Sequence, residues 1–106
     1  YYKDTLLVTI SYEDFKSIGY NPEDGVDLID FVSSVEGVNL TALLTERKPN
    51  NCSISFRSSE KYDVSKLAER FGGGGHAGAS GCKDILANVG DVKSRLVKEI
   101  KSFIKE

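Results

Sequence analysis

Six of the ten glycines and the only histidine fall within eleven residues, Phe71-Gly72-Gly73-Gly74-Gly75-His76-Ala77-Gly78-Ala79-Ser80-Gly81. Four glycines in a row bury no side chain, and they lose more backbone freedom on folding than other residues do. Such a run does what only bare backbone can. It turns with φ > 0, and it brings N–H groups close to a ligand. Successive N–H groups in a turn make an anion-binding concavity, for phosphate or carboxylate. The plain alternative is a flexible hinge. Against that, linkers favour Ser and other polar residues, whereas this run lies between an apolar helix face and a small-residue segment.

A chain of 106 residues forms one domain around one core. No run of about 18 apolar residues is present, so no membrane span is expected. The start, Tyr1-Tyr2-Lys3-Asp4, has neither the basic nor the apolar region of a signal peptide. It leads abruptly into a strand, so a piece of a longer, cytoplasmic protein is expected. Cys52 and Cys82, 30 residues apart, read as reduced, buried thiols, with a disulfide as the alternative. The formal net charge of −2 argues against sequence-independent clamping of a polyanion. A local phosphate pocket is compatible with it.

In chain order, Thr5–Ile10 is an apolar, β-branched run and reads as a buried strand. Ser11-Tyr12-Glu13-Asp14 is an S-x-x-D cap opening a short helix that Gly19 stops. Tyr20-Asn21-Pro22 turns the chain. A second helix carries Leu28, Phe31, Val32 and Val35 on one stripe and ends at Gly37. Val38–Glu46 reads as a central strand, with Leu40, Ala42 and Leu44 on one face and Leu43 on the other. A four-residue turn, Lys48-Pro49-Asn50-Asn51, leads into Cys52–Arg57, where Cys52, Ile54 and Phe56 alternate with Ser53, Ser55 and Arg57. Asp63 is placed to cap a helix bearing Val64, Leu67, Ala68 and Phe71, and the glycine run begins at its end. Ala79–Ile85 returns to the sheet. Asp91 then caps a final helix with Val92, Leu96, Ile100, Phe103 and Ile104 on one face. The order implies an α/β domain, with helices packed on a mixed sheet of about four to five strands.

Gly73-Gly74-Gly75-His76-Ala77-Gly78 matches G-x-G-x-x-G to the letter, but a dinucleotide site needs a strand before it and a long helix after it. Here a helix precedes, and a short glycine-broken segment follows. No G-K-[ST] closes the run as a phosphate-binding P-loop would require. One histidine without clustered Cys or carboxylates gives no metal set, and no catalytic triad has positional support. His76 after four glycines is placed to donate to a phosphate or carry a proton; the alternative is a structural histidine. Arg57, followed by Ser58 and Ser59, offers the fork and hydroxyl donors that phosphate oxygens accept. Its alternative is a solvated strand-end charge. Both candidates bracket one helix, which can return the chain to bring them together.

The set Phe56-Arg57-Ser58, Asp63-Val64, and Phe71-Gly72-Gly73-Gly74-Gly75-His76-x-x-Ala79-Ser80-Gly81 resembles the C-terminal DHHA1 domain of DHH-type phosphoesterases. Nearest in character are the bacterial oligoribonuclease/pAp-phosphatase proteins, often labelled exopolyphosphatase-related, and the likeness spans residues 5 to 104. The resemblance implies a substrate-binding domain, in which Arg57 and Ser58 grip a nucleotide phosphate. The amides of Gly73, Gly74 and Gly75 and the His76 imidazole would line the same pocket. It also implies partners: short RNA or a nucleotide phosphate as substrate, an N-terminal DHH domain in the same chain, and a homodimeric parent. In that family two divalent metals, usually manganese, are held by the Asp-His-His domain. This chain has no Asp-His-His, so it is expected to bind no metal, and to bind substrate without hydrolysing it. Alanyl-tRNA synthetases and single-strand exonucleases share the glycine motif, so a tRNA- or single-strand-binding module is the alternative. In that case Tyr62, near Arg57, would stack on a base.

Overall fold

A computed structural model describes residues 2–18 and 28–105 of the chain. Strand β1 (Thr5–Ile10) is followed by helices α1 (Tyr12–Ile18) and α2 (Leu28–Ser33), then by strands β2 (Leu40–Lys48) and β3 (Asn51–Ser58). Helix α3 (Val64–Glu69), strands β4 (Gly74–His76) and β5 (Ala79–Ile85), and helix α4 (Val89–Ile104) complete it. The strands form one sheet in the order β1-β2-β3-β5-β4. Only β1 and β2 pair in parallel, and the other pairs are antiparallel. The mixed α/β sheet expected from the sequence is the one found.

One face of the sheet carries the main core. Leu40, Ala42 and Leu44 of β2 join Cys52, Ile54 and Phe56 of β3 and Cys82 of β5. Val64, Leu67 and Ala68 of α3 and Val92, Leu96 and Ile100 of α4 close over them. The period of two in β3 and the i, i+3, i+4 stripe of α3 thus meet across one interface. Phe103 and Ile104 of α4 pack at its margin. Leu43 points to the other face and is buried too. Phe15 of α1 and Ile29 of α2 are buried outside the main core, and both helices contact β2. Both cysteines are free thiols in the interior.

Several local expectations need correction. The β2–β3 turn is two residues long, because Lys48 already pairs with Asn51, and Asn50 takes the left-handed conformation that tightens it (φ 57°). Helix α2 ends at Ser33 rather than Gly37, which instead turns the chain with φ 83°. Val35 therefore lies beyond the helix and is exposed, and Ile29 is the buried residue. Gly19, Tyr20, Asn21, Pro22 and the side chains of Leu28 and Phe31 lie outside the described residues. The Ser11–Asp14 cap forms as expected: the Asp14 amide donates to Ser11 Oγ (3.1 Å) and the Ser11 amide to Asp14 Oδ2 (2.8 Å).

Helix α4 starts at Val89, two residues before Asp91, so Asp91 lies inside its first turn and is not the expected cap. Asn88 is the N-cap, its Oδ1 accepting from the Asp91 amide at 2.8 Å, while Asn88 Nδ2 donates to Asp91 Oδ2 at 2.9 Å. Asn is as good a cap as Asp, and the reciprocal bond draws Val89 and Gly90 into the first turn. Asn88→Ala should therefore cost about 1 kcal/mol, and Asp91→Ala only a few tenths, in urea unfolding. The reverse ranking would return the cap to Asp91.

Candidate functional site

Asp63 caps α3 as expected, its Oδ1 accepting from the Ser65 amide at 3.1 Å. At the other end the amides of Gly72 and Gly73 turn back onto the carbonyls of Glu69 (3.1 Å) and Ala68 (2.9 Å). Arg95 of α4 seals this exit: its Nη2 donates to the Arg70 carbonyl (2.6 Å) and its guanidinium lies 4.5 Å from the Phe71 ring centroid. The glycine run is then no open loop. Gly74–His76 forms β4, an edge strand paired to β5.

Neighbouring backbone explains two of these glycines. A Cβ on Gly73 would lie 2.2 Å from the Gly81 carbonyl oxygen, and one on Gly75 would lie 2.7 Å from the Ala79 oxygen. No side chain fits either gap. Gly74 is different, since nothing lies within 4 Å of its Cβ position. It faces open space.

The pairing register decides the geometry of the site. Arg57 pairs with Thr41 on one side and with Ala79 on the other, and Ala79 pairs with His76. Directly paired residues share a face. Thr41, Arg57, Ala79 and His76 therefore form one row across four strands, with Arg57 and His76 about 10 Å apart at Cα. The next row along the same face is Leu43, Ser55, Gly81 and Gly74. Exposure rises along both rows. Thr41 and Leu43 are buried, Ser55, Arg57, Ala79 and Gly81 half-buried, and Gly74 and His76 exposed. Helices α1 and α2 thus pack on β2, with α2 reaching β3 as well, and exposure increases from there through β5 to β4 along a strip floored by small residues.

Arg57 Nη1 donates to the carbonyl of Phe56 (3.0 Å), and its side chain borders a cleft of about 320 Å³ shared with Asn39, Thr41 and Ser59. Ser58 acts as a fastener. Its Oγ donates to the carbonyls of Tyr62 (2.7 Å) and Ala77 (3.2 Å), and its amide donates to Gly78 (3.1 Å). The Val64 amide also takes the Ala77 carbonyl (2.8 Å), and buried Ser80 Oγ donates to the Val64 carbonyl (2.7 Å). These bonds tie the turn after His76 to the end of β3. The conjunction of Arg57 with the glycine–histidine segment, expected from the helix between them, is realised through Ser58 and the β3–β5 register. Tyr62 points elsewhere, donating to Asp4 Oδ1 (2.8 Å) with its ring 6.1 Å from that of Phe103. It therefore does not serve the Arg57 face as a stacking residue.

Asp4 and Asn39 carry no motif, so sequence reading passed them over. The Asp4 carboxylate accepts from Lys61 Nζ (2.6 Å), Tyr62 Oη (2.8 Å) and Asn39 Nδ2 (3.0 Å). Asn39 Oδ1 in turn accepts from Ser59 Oγ (2.9 Å), two residues past Arg57. Burial alone would raise the Asp4 pKa, but the donors from Lys61, Tyr62 and Asn39 outweigh it and lower it from 3.8 to about 2. Among the described residues no group of three or more His, Cys, Asp or Glu is placed to hold a metal ion.

Two outcomes follow from this geometry. Gly73→Ala should cost about 3 kcal/mol through its backbone clash, whereas Gly74→Ala should stay within about 0.5 kcal/mol; urea unfolding of both variants compares them. A folded-state pKa below the unfolded value stabilises above pH 3.8 and loses that contribution as pH falls through about 2. Asp4→Asn should lower the wild-type urea midpoint at pH 7 and flatten its decline between those two values. An unchanged acid profile would remove Asp4 from this role.

Compared with known families, the chain matches the DHHA1 domain over residues 7–106. Its fold is similar to that of an exopolyphosphatase-related protein from Bacteroides fragilis, with a TM-score of 0.75 and 25% identity over 98% of this chain and 31% of that one. A protein from Helicobacter pylori G27 shares the fold at a TM-score of 0.52 and 20% identity, over 97% of this chain and 27% of that one. A pGpG-specific phosphodiesterase from Vibrio cholerae aligns with 63% of this chain and 25% of its own, at 22% identity and a TM-score of 0.49. No curated protein sequence matches. This chain spans less than a third of the length of each of these solved structures. The match over nearly every residue, on a sheet that brings Arg57 and the glycine–histidine segment to one face, places the chain in the DHHA1 domain family.

Proposed function

We propose that this chain is the substrate-binding domain of a metal-dependent DHH-family phosphoesterase acting on short oligoribonucleotides or nucleoside phosphates. The observation that carries the reading is the row Arg57–Ala79–His76 on the open side of the sheet. There a forked cation and an imidazole flank a stretch of backbone with no large side chain. The guanidinium supplies charge-assisted N–H donors whose planar geometry suits phosphate oxygens. The His76 imidazole donates a third bond, or passes a proton to an ester oxygen. Gly74 lets a ligand approach the strand backbone, since its Cβ position is empty space. The Gly73 amide already donates to Ala68 and Ser58 Oγ to backbone carbonyls, so these two residues shape the cradle.

The similarity to an exopolyphosphatase-related protein supports a phosphate-bearing ligand. In this reading a DHH domain in the same protein supplies the chemistry with two divalent metals, manganese by family resemblance. The domain described above orients the substrate and closes over it.

Arg57→Ala removes a charge-assisted contact worth roughly 1.5 to 3 kcal/mol, so AMP binding measured by titration calorimetry should weaken at least about tenfold. The salt dependence should be shallow, because a single phosphate carries no condensed counterion layer for the protein to release. Unchanged affinity in the variant would overturn the assignment. A steep slope with long single strands would favour the nucleic-acid-binding alternative.

A further inference from the structure

The edge of the sheet opposite β4 is β1. Its sequence Thr5-Leu6-Leu7-Val8-Thr9-Ile10 carries no charge and no proline, the usual guards of an edge strand. Its backbone groups alternate in direction. The Asp4 carbonyl accepts from the Asn39 amide (2.8 Å) on the β2 side, whereas Thr5 exchanges two bonds with Tyr2 on the outer side (3.0 and 2.9 Å). The period of two then turns the N–H and C=O of Leu7 and Thr9 outward as well. Among the described residues nothing pairs with them there. Leu7 and Thr9 also line a groove of about 450 Å³ against α4, where Val97 and Ile100 form an apolar wall and Lys93 and Lys101 stand exposed. Among the described residues no carboxylate lines this groove. Thr9 Oγ1 is buried without a hydrogen-bond partner, a cost that an acceptor brought within reach removes.

Tyr2 shows what this edge accepts. It lies there as one residue of antiparallel backbone, with its ring centroid 5.3 Å from Lys101 Nζ. Eight helical residues, about 12 Å, separate Lys101 from Lys93, and four strand residues, about 13 Å, separate Thr5 from Thr9. Lys93 therefore comes level with Thr9, and Val97 with Leu7. We propose that the outer side of β1 is a docking edge for an extended, acidic segment of a partner protein, which adds a sixth strand antiparallel to β1. Pairing places its side chains: the residue opposite Leu7 meets Val97, and the residue opposite Thr9 meets Lys93. The pattern that fits is acidic-x-apolar, read from the N-terminus of the segment. A carboxylate opposite Thr9 takes the Lys93 ammonium and gives Thr9 Oγ1 the acceptor it lacks. Main-chain bonds supply affinity, and these two side chains supply specificity. A second copy of the chain would offer its own β1, which has no carboxylate to place there. The edge lies across the sheet from β4, so a docked strand leaves the Arg57–His76 row free.

The test is an amide NMR titration of the isotope-labelled chain with the peptides acetyl-Thr-Glu-Thr-Val-Thr-amide and acetyl-Thr-Lys-Thr-Val-Thr-amide. The glutamate peptide should shift the Leu7 and Thr9 amides saturably and slow their hydrogen exchange at least about tenfold at saturation. The lysine peptide should bind at least about tenfold more weakly. Lys93→Glu should reverse that preference; the side chain is exposed, so the fold is retained, and unchanged amide signals from β3 and β5 check it. Thr9→Val, which removes the hydroxyl and keeps the branched shape, should weaken the glutamate peptide about threefold. The proposal is overturned by the absence of a saturable shift at Leu7 and Thr9 with millimolar glutamate peptide, by equal binding of the two peptides, or by an unchanged preference in Lys93→Glu. Protection of the same two amides by a rising concentration of the chain alone would assign the edge to a second copy and overturn it too.

Discussion

The distance between β4 and β5 sets what this domain can be. A 2.2 Å gap between the Gly73 Cβ position and the Gly81 carbonyl admits hydrogen and nothing heavier. Only there can the chain leaving α3 fold flat against β5 and become the last strand of the sheet. That strand carries His76 to the end of the row that holds Arg57. With any larger residue at that position, the segment would lift away from the sheet and the row would be broken. The same scarcity of side chains that builds β4 leaves the strip above β3 and β5 with a low floor. Close packing and an accessible backbone are here two results of one composition.

The two faces of the sheet are treated differently, and the difference follows from what packs on each. On the core face, α3 and α4 cover β2, β3 and β5 with aliphatic and aromatic side chains. On the other face α1 contacts β2 and α2 contacts both β2 and β3, and exposure then rises towards β4.

Rigidity at the site comes from short polar bonds at the ends of the strands. Ser58, Ala77 and Val64 interlock the end of β3, the turn after His76 and the first turn of α3. Asp4, through Asn39 and Ser59, fixes the same region from the opposite side. Each of these bonds holds the backbone that carries Arg57 or His76, so neither side chain depends on a free loop for its position. This is how a segment with six glycines in eleven residues can present a defined surface.

Much of this was legible in the residues themselves. The alternation in Cys52–Arg57, the stripe in Val64–Ala68 and the Asp63 and Ser11 caps are local signals with a single geometric meaning, and each appears where it was read. The glycine–histidine run marked the candidate site because no core can use it. Other features depended on partners distant in the chain. That Gly74–His76 pairs as a strand is set by β5, that Ser58 fastens rather than donates outward is set by Tyr62 and Ala77, and that Tyr62 turns away is set by Asp4. Residue type and spacing decide which face a side chain takes within its own element. Which side chains then become neighbours is decided by strand order and register, and these follow from the burial of the whole core rather than from any short stretch of chain.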